Sequence, residues 1–262
     1  MLGLIAGNGN FPLIFTKHAQ KKGEKVVAIA IYDETDKEIE NIADKTYWAN
    51  VGQLSKIIEI LKKENITRCV MAGQVKHTKL FSIKPDFRAI SLLAKLKSKT
   101  ADPILSAVCD ELKQEGIEFL PSNIYLSNFL AKEGILTKTK PDKSQKEDIS
   151  FGYGIAKEIS RVDIGQTVCV KDKSIIAVEA MEGTDECINR AGKIADNFVV
   201  VKVARPKQDM RFDIPIVGIK TIETLKESKV SVLAVEADKT IILEIDEVIK
   251  KADEYGICVV AV

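Results

Sequence analysis

The stretch Leu2-Gly3-Leu4-Ile5-Ala6-Gly7-Asn8-Gly9-Asn10-Phe11-Pro12 decides the fold. Its first five residues are a short, mostly apolar run that reads as a buried strand. Gly7 and Gly9 allow a tight turn, and Phe11 to Lys22 carries Leu13, Ile14 and Ala19 at helical spacing before Gly23 stops it. Pro12 suits the first turn of that helix. A strand that turns on glycines into a helix presents free N–H groups and the positive end of the helix dipole to an anion. A dinucleotide fingerprint would need a third glycine where Pro12 stands, so an NAD site is disfavoured. Asp33, just beyond the next strand, stands where a ribose-binding acid would stand, although residues 33–36 also read as an ordinary polar turn. The opening stretch therefore reads as a turn facing phosphate or nucleotide, with a plain βα turn as the simpler alternative.

Outward from this turn the pattern repeats. Lys25–Tyr32 is the next strand, Gln53–Glu64 a helix with Leu54, Ile57, Ile58 and Leu61 on one stripe, and Arg68–Ala72 a third strand ending at Gly73. Pro103–Glu115 is a further helix stopped by Gly116, and Glu118–Leu120 a fourth strand. Strands alternating with helices predict an α/β, Rossmann-like N-terminal domain with a parallel sheet. Residues 137–148 contain no apolar side chain and read as solvated. The expected organisation is a nucleotide-facing domain over 1–136, a linker over 137–150 and a separate α/β C-terminal catalytic domain over 151–262. In that second half, short strands (Gln166–Val170, Ile175–Glu179, Phe198–Val203, Val232–Glu236, Ile241–Glu244) mix with helices near Gly152–Ser160, Asp185–Ile194 and Asp246–Tyr255, without a simple βαβ alternation.

The 262 residues carry 39 Lys and Arg against 38 Asp and Glu, a net charge of +1, and are 45% hydrophobic. That is enough for a buried core, and it leaves no basic footprint for nucleic acid. The longest wholly apolar run is Val26–Tyr32, far short of the ~20 residues that span a bilayer. The N-terminal Met-Leu-Gly-Leu-Ile-Ala-Gly has no basic leader, so a cytoplasmic location is expected. Five cysteines without a Cys-x-x-Cys spacing read as buried reduced thiols, and His18 and His77 have no neighbours suggesting a zinc site or a triad.

Three further stretches carry candidate chemistry. Ala72-Gly73-Gln74-Val75-Lys76-His77 follows a strand at the sheet edge where ligands of open α/β folds bind, so Gln74 and Lys76 are candidate contacts. In Gln208-Asp209-Met210-Arg211-Phe212-Asp213-Ile214-Pro215, an extended backbone would place Asp209, Arg211 and Asp213 on one face and Met210, Phe212 and Ile214 on the other. Two carboxylates flanking a guanidinium suit a cation, a water or a phosphate, and equally a structural salt bridge. In Glu179-Ala180-Met181-Glu182-Gly183-Thr184-Asp185-Glu186, Thr184 or Asp185 is a candidate helix N-cap, and Arg190 is spaced to pair with Glu186.

Gly7-Asn8-Gly9 with Phe11-Pro12, Val51-Gly52-Gln53-Leu54, Met71-Ala72-Gly73-Gln74-Val75, Asp163-Ile164-Gly165-Gln166, Glu182-Gly183-Thr184-Asp185 and the 208–215 stretch occur in this order. Together they resemble the LpxI family of UDP-2,3-diacylglucosamine pyrophosphatases of lipid A biosynthesis, over nearly the whole chain. The resemblance implies hydrolysis of a lipid-linked UDP-sugar to UMP and the acylated sugar 1-phosphate, with Mg²⁺ or another divalent cation as cofactor. It also implies two domains with the lipid bound between them, a homodimer, and peripheral contact of a cytoplasmic protein with the inner membrane. Carried onto this chain, the catalytic carboxylate is Asp209 or Asp213, with Asp209 favoured for catalysis and Asp213 as its structural partner, and both able to hold metal. Arg211 and Lys202 face phosphate, and Glu182 and Asp185 complete the metal or water shell. Gly7, Asn8, Gly9, Phe11, Pro12, Gly73, Gln74, Thr184 and Gln208 line the substrate. An NAD-dependent oxidoreductase and a non-catalytic UDP-sugar-binding protein are the alternatives.

Overall fold

The computed structural model describes residues 1–75, 85–96, 101–206 and 208–262; the candidates Lys76 and His77 lie outside the described residues. The chain divides into two compact units. The first is Met1–Leu126 together with Asp209–Asp213, and the second is Ser127–Gln208 together with Ile214–Val262.

The first unit runs β1 (Leu2–Ala6), α1 (Phe11–Lys21), β2 (Val26–Ile31), α2 (Ile39–Ile42), β3 (Lys45–Ala49), α3 (Leu54–Lys63), β4 (Arg68–Ala72), α4 (Phe87–Ala94), α5 (Ala101–Gln114) and β5 (Glu118–Phe119). Its five strands pair in parallel in the order β3-β2-β1-β4-β5. This is a doubly wound order with its reversal between β1 and β4, and ligands of such sheets bind at the carboxyl ends of the strands there. The expected α/β class holds. β3, α2 and α4 are additions to the sequence reading.

The second unit carries β6 (Gly134–Ile135), α6 (Lys143–Arg161), β7 (Thr167–Lys171), β8 (Ser174–Val178), α7 (Thr184–Gly192), β9 (Val199–Lys202), β10 (Ile216–Val217), α8 (Ile219–Glu227), β11 (Val232–Val235), β12 (Ile241–Ile242), α9 (Ile245–Glu254) and β13 (Cys258–Ala261). One sheet has the order β6-β13-β11-β9-β7-β8, and β10 pairs with β12 in a second. β9, β11 and β13 are parallel, so a βαβ run is present through α8 and α9, while β6, β7 and β8 pair antiparallel, so the half is not a simple βαβ alternation, as expected. Val168, Val170, Val199 and Val201 pack beneath α6 on one face, and Phe198, Val200, Leu233 and Val259 face the other core.

The polar stretch 137–148 does not separate the units. The first unit already ends at Leu126, and the stretch is structured within the second. Thr137 Oγ1 accepts the Val259 N–H at 2.9 Å. Asp142 caps α6 by accepting the Gln145 N–H at 2.8 Å, while Gln145 Oε1 accepts the Asp142 N–H at 2.9 Å, a reciprocal capping box. Asp148 is buried and clamps the turn between β7 and β8 by accepting the N–H groups of Asp172 and Lys173 at 3.0 and 2.6 Å. Thr137, Asp142 and Asp148 thus satisfy backbone donors, within a stretch whose other residues are mostly exposed.

All five cysteines are buried and free. Glu236, just past β11 and 5% exposed, ties the end of β9 to α6. It accepts from Lys157 Nζ at 3.0 Å, Lys239 Nζ at 2.8 Å and the Ala204 N–H at 2.8 Å. Burial pushes its carboxyl up, but these hydrogen bonds outweigh burial and hold it below the usual 4.5. A depressed folded value contributes stability that is present above the unfolded value and lost as pH falls through the folded one. Glu236→Gln should cost about 2 kcal/mol at pH 7. In thermal melts the gap to the parent should close as pH falls below about 4; a gap independent of pH would contradict this.

Candidate active site

At the reversal point of the first sheet, two loops cross in contact. The Gly7 N–H donates to Ala72 O at 2.8 Å, the Asn8 N–H to Gln74 O at 2.7 Å, and the Gln74 N–H to Asn8 O at 3.3 Å. A Cβ on Gly7 would lie 2.7 Å from Gln74 O, and one on Gly73, at φ +87°, would lie 2.7 Å from Asn8 O. These glycines are required first by each other, because any side chain would part the loops. Asn8, Gly9 and Gln74 are exposed at this edge. Phe11 and Pro12 are buried, with Phe11 edge-on to Phe15 at 6.4 Å, so their side chains build the start of α1 rather than a ligand surface. No side chain caps the first turn of α1, leaving its N-terminal dipole unopposed by a cap.

The Asp209–Asp213 segment belongs to this first unit, not to the C-terminal one as expected from its place in the sequence. It is a turn, not an extended strand. The Phe212 and Asp213 N–H groups donate back to Asp209 O at 3.2 and 2.9 Å. Phe212 packs against the apolar core of the first unit. The Ser122 N–H donates to Met210 O at 2.8 Å and Ser122 Oγ to Arg211 O at 2.6 Å. The turn brings Asp209 and Arg211 together as predicted, by a different backbone. Arg211 Nε donates to Asp209 Oδ1 at 2.9 Å and Nη2 to Oδ2 at 2.6 Å, and the Arg211 N–H adds a third bond at 3.0 Å. The guanidinium holds the Asp209 carboxyl below its usual range against the opposing effect of burial, and its own pKa is raised in return. Nearby, burial pushes the Cys109 thiol up to about 12, which keeps it a neutral neighbour.

The second unit holds another cluster. Lys202 Nζ, at the end of β9, donates to Thr184 Oγ1 at 2.7 Å, and Thr184 Oγ1 donates to Glu179 Oε1 at 2.9 Å. Glu179 Oε2 accepts the Gln166 N–H at 3.2 Å. Lys202 and Thr184 were expected in the site. Glu179 was not, although it stands three residues before Glu182 at the end of a strand. Glu182 is engaged elsewhere: Arg190 Nη2 donates to Oε1 at 2.7 Å and the Ala180 N–H to Oε2 at 3.1 Å. Burial raises the Glu182 carboxyl, but these bonds outweigh it and leave it lowered. Arg190 thus pairs with Glu182 and not Glu186. Asp185 lies 3.4 Å from Lys220, and Gly183 rather than Thr184 or Asp185 is the N-cap of α7. Gln208 Oε1 accepts the Arg205 N–H at 2.8 Å.

Among the described residues, no group of three or more His, Cys, Asp or Glu is placed to hold a metal. Mg²⁺ is commonly held by one or two carboxylates together with substrate phosphates and water. Asp209 and Asp213 both lie in the turn, and both oxygens of Asp209 are taken by Arg211.

Fold and site together define a two-unit α/β protein with a doubly wound N-terminal sheet, an Asp–Arg turn and a Lys–Thr–Glu cluster. The LpxI N-terminal domain profile matches residues 1–129 and the LpxI C-terminal domain profile residues 132–260. The chain belongs to the LpxI family. It is 28% identical over 273 aligned residues to the UDP-2,3-diacylglucosamine pyrophosphatase LpxI of Caulobacter vibrioides, covering 100% of this chain and 97% of that one. Solved structures align weakly. CobK precorrin-6A reductase is 11% identical, with 100% of this chain and 87% of that chain covered at a TM-score of 0.30. The ADP-bound biotin carboxylase domain of a thermophilic 2-oxoglutarate carboxylase is 12% identical, with 74% and 32% covered at a TM-score of 0.29. These two likenesses are too slight to bear on function.

Proposed function

We propose that the protein hydrolyses the pyrophosphate of UDP-2,3-diacylglucosamine to UMP and 2,3-diacylglucosamine 1-phosphate. The observation that carries this reading is the end-to-end match to both LpxI domains, together with a relative of that name aligned over the full chain. The residue chemistry supports it. Water adds to one phosphorus, and the bridging oxygen leaves with the other phosphate. Negative charge grows on the phosphate oxygens, so fixed cations aimed at them lower the barrier. Arg211 in the first unit has the planar fork for that task. Asp209, kept ionised at low pH by Arg211, is a poor proton acceptor near neutrality. Its role is to orient the guanidinium, which moves the water-directing role to Asp213 and reverses the roles expected from the resemblance. A divalent cation, when bound, supplies further charge neutralisation on the phosphates, with Asp213 and Asp209 as its protein ligands.

The substrate's acyl chains imply work at a lipid surface, and α4 supports this. Phe87 is 86% and Ile90 51% exposed, one helical turn apart. Along the sequence, residues 76–100 carry seven Lys or Arg against one acid, Asp86, in a chain of net charge +1. An anionic bilayer surface is the matching occupant. Among the described residues, no helix is long and apolar enough to cross a membrane.

Asp213→Ala and Asp209→Ala should each lower UMP release by about 100-fold or more while leaving the melting temperature near that of the parent. Full turnover by both variants would sink the site assignment. Chelation of divalent cations should abolish release and added Mg²⁺ restore it; turnover unchanged under chelation would remove the cation from the reading. Phe87→Ser combined with Ile90→Ser should weaken co-sedimentation with phosphatidylglycerol vesicles several-fold, without slowing hydrolysis of detergent-dispersed substrate. Equal vesicle binding would contradict the docking face.

A further inference from the structure

Glu34 belongs to none of the residues assigned above. It lies three residues past β2, whose parallel neighbour is β1, so it stands at the same carboxyl edge as the Gly7–Gly9 turn. Thr35 pins this loop down: its Oγ1 donates to Ala6 O, at the end of β1, and accepts the Ile31 N–H at 2.8 Å. Glu34 is thereby drawn inside, only 5% exposed. Asn8 Nδ2 donates to Glu34 Oε2 at 3.4 Å. The other oxygen, Oε1, is buried and accepts no hydrogen bond from the protein. Asp33, the acid singled out from the sequence, is exposed in the left-handed region at φ +62°.

A buried carboxylate oxygen without a donor is destabilising, because its lost hydration is not replaced. Glu34 bears that cost beside a glycine turn and an uncapped helix start, at the reversal point of a doubly wound sheet. In such sheets an acid beyond the second strand is placed to accept hydrogen bonds from ribose hydroxyls, while the phosphates lie toward the helix start. Asn8 holds one oxygen, which leaves Oε1 as the acceptor. We infer that Glu34 accepts a hydrogen bond from the ribose hydroxyls of the bound nucleotide and makes the first unit selective for ribonucleotides. The inference rests on the proposed reaction for the identity of that nucleotide.

The test is calorimetric binding of UMP and of 2′,3′-dideoxy-UMP to the full-length protein, which needs no turnover. The parent should prefer UMP by at least about tenfold, because a site built to bond a hydroxyl rejects the analogue lacking it. Glu34→Gln keeps the shape but loses the anionic acceptor. It should weaken UMP about tenfold, leave the dideoxy nucleotide unchanged, and not lower the melting temperature. Glu34→Asp, which keeps charge but shortens the reach, should also lose the preference. A parent that binds both nucleotides equally or neither, or variants that keep the full preference, would overturn the inference. Its failure is separable from that of the proposed reaction. UMP release from UDP-2,3-diacylglucosamine without ribose selectivity would reject Glu34 alone. Ribose selectivity abolished by Glu34→Gln, without UMP release, would support Glu34 and reject the hydrolysis.

Discussion

β1 pairs in parallel with β2 on one side, Leu2 opposite Val26 through Ala6 opposite Ala30, and with β4 on the other, Gly3 opposite Cys69 through Ala6 opposite Ala72. Parallel neighbours require crossover connections, so every strand of this set delivers its following loop to the same edge. The chain turns one way from β1 toward β2 and β3 and the other way toward β4 and β5, and the loops part there. Gly7–Gly9, Glu34 and Gly73–Gln74 meet at that edge although they are far apart in the chain. The same constraint in the second unit brings Lys202 and Glu236 to the ends of β9 and β11. The chemistry collects where the topology leaves polar loops, while the central strands β1, β2, β4, β9 and β11 are largely buried.

The Asp209–Asp213 turn is the exception to sequence locality. It is an excursion of the C-terminal chain onto the first unit, and its anchor is apolar: Phe212 is seated against that unit's core, with Ser122 holding the backbone of Met210 and Arg211. That seating lets two charged side chains be fixed without deep burial. Asp209 and Arg211 are each about a third exposed, at 30% and 29%, so the pair adds little to stability. What it fixes is orientation, since the carboxylate holds the guanidinium plane by two parallel hydrogen bonds.

The first unit was legible wherever an apolar run ended in glycine, because those signals report buried parallel strands directly. β3 was not legible, since its residues at the sheet edge are mostly half-exposed, and neither was α4, whose Phe87 and Ile90 face outward. The polar stretch 137–148 misled because a cap, a clamp and a solvated linker use the same residues; only the partners of Thr137, Asp142 and Asp148 tell them apart. For the Asp-x-Arg-x-Asp motif, alternation suggested a strand, but a turn also brings Asp209 and Arg211 together. The residue types of the site were visible in the sequence, whereas their hydrogen-bond partners were not. Arg190 selects Glu182, Thr184 links Lys202 to Glu179, and Glu34 rather than Asp33 goes inside. Burial of one acid beside another is set by how a loop is pinned, here through Thr35, and no local pattern announces it.

The central claim is that this chain cleaves a phosphoanhydride. The most direct measurement follows UDP-2,3-diacylglucosamine by phosphorus NMR with the full-length protein and Mg²⁺ present. The account predicts that the two coupled pyrophosphate resonances disappear and are replaced by equal amounts of UMP and the sugar 1-phosphate. Substrate that binds the protein yet keeps both pyrophosphate resonances would contradict it and leave a protein that holds a UDP-sugar without cutting it.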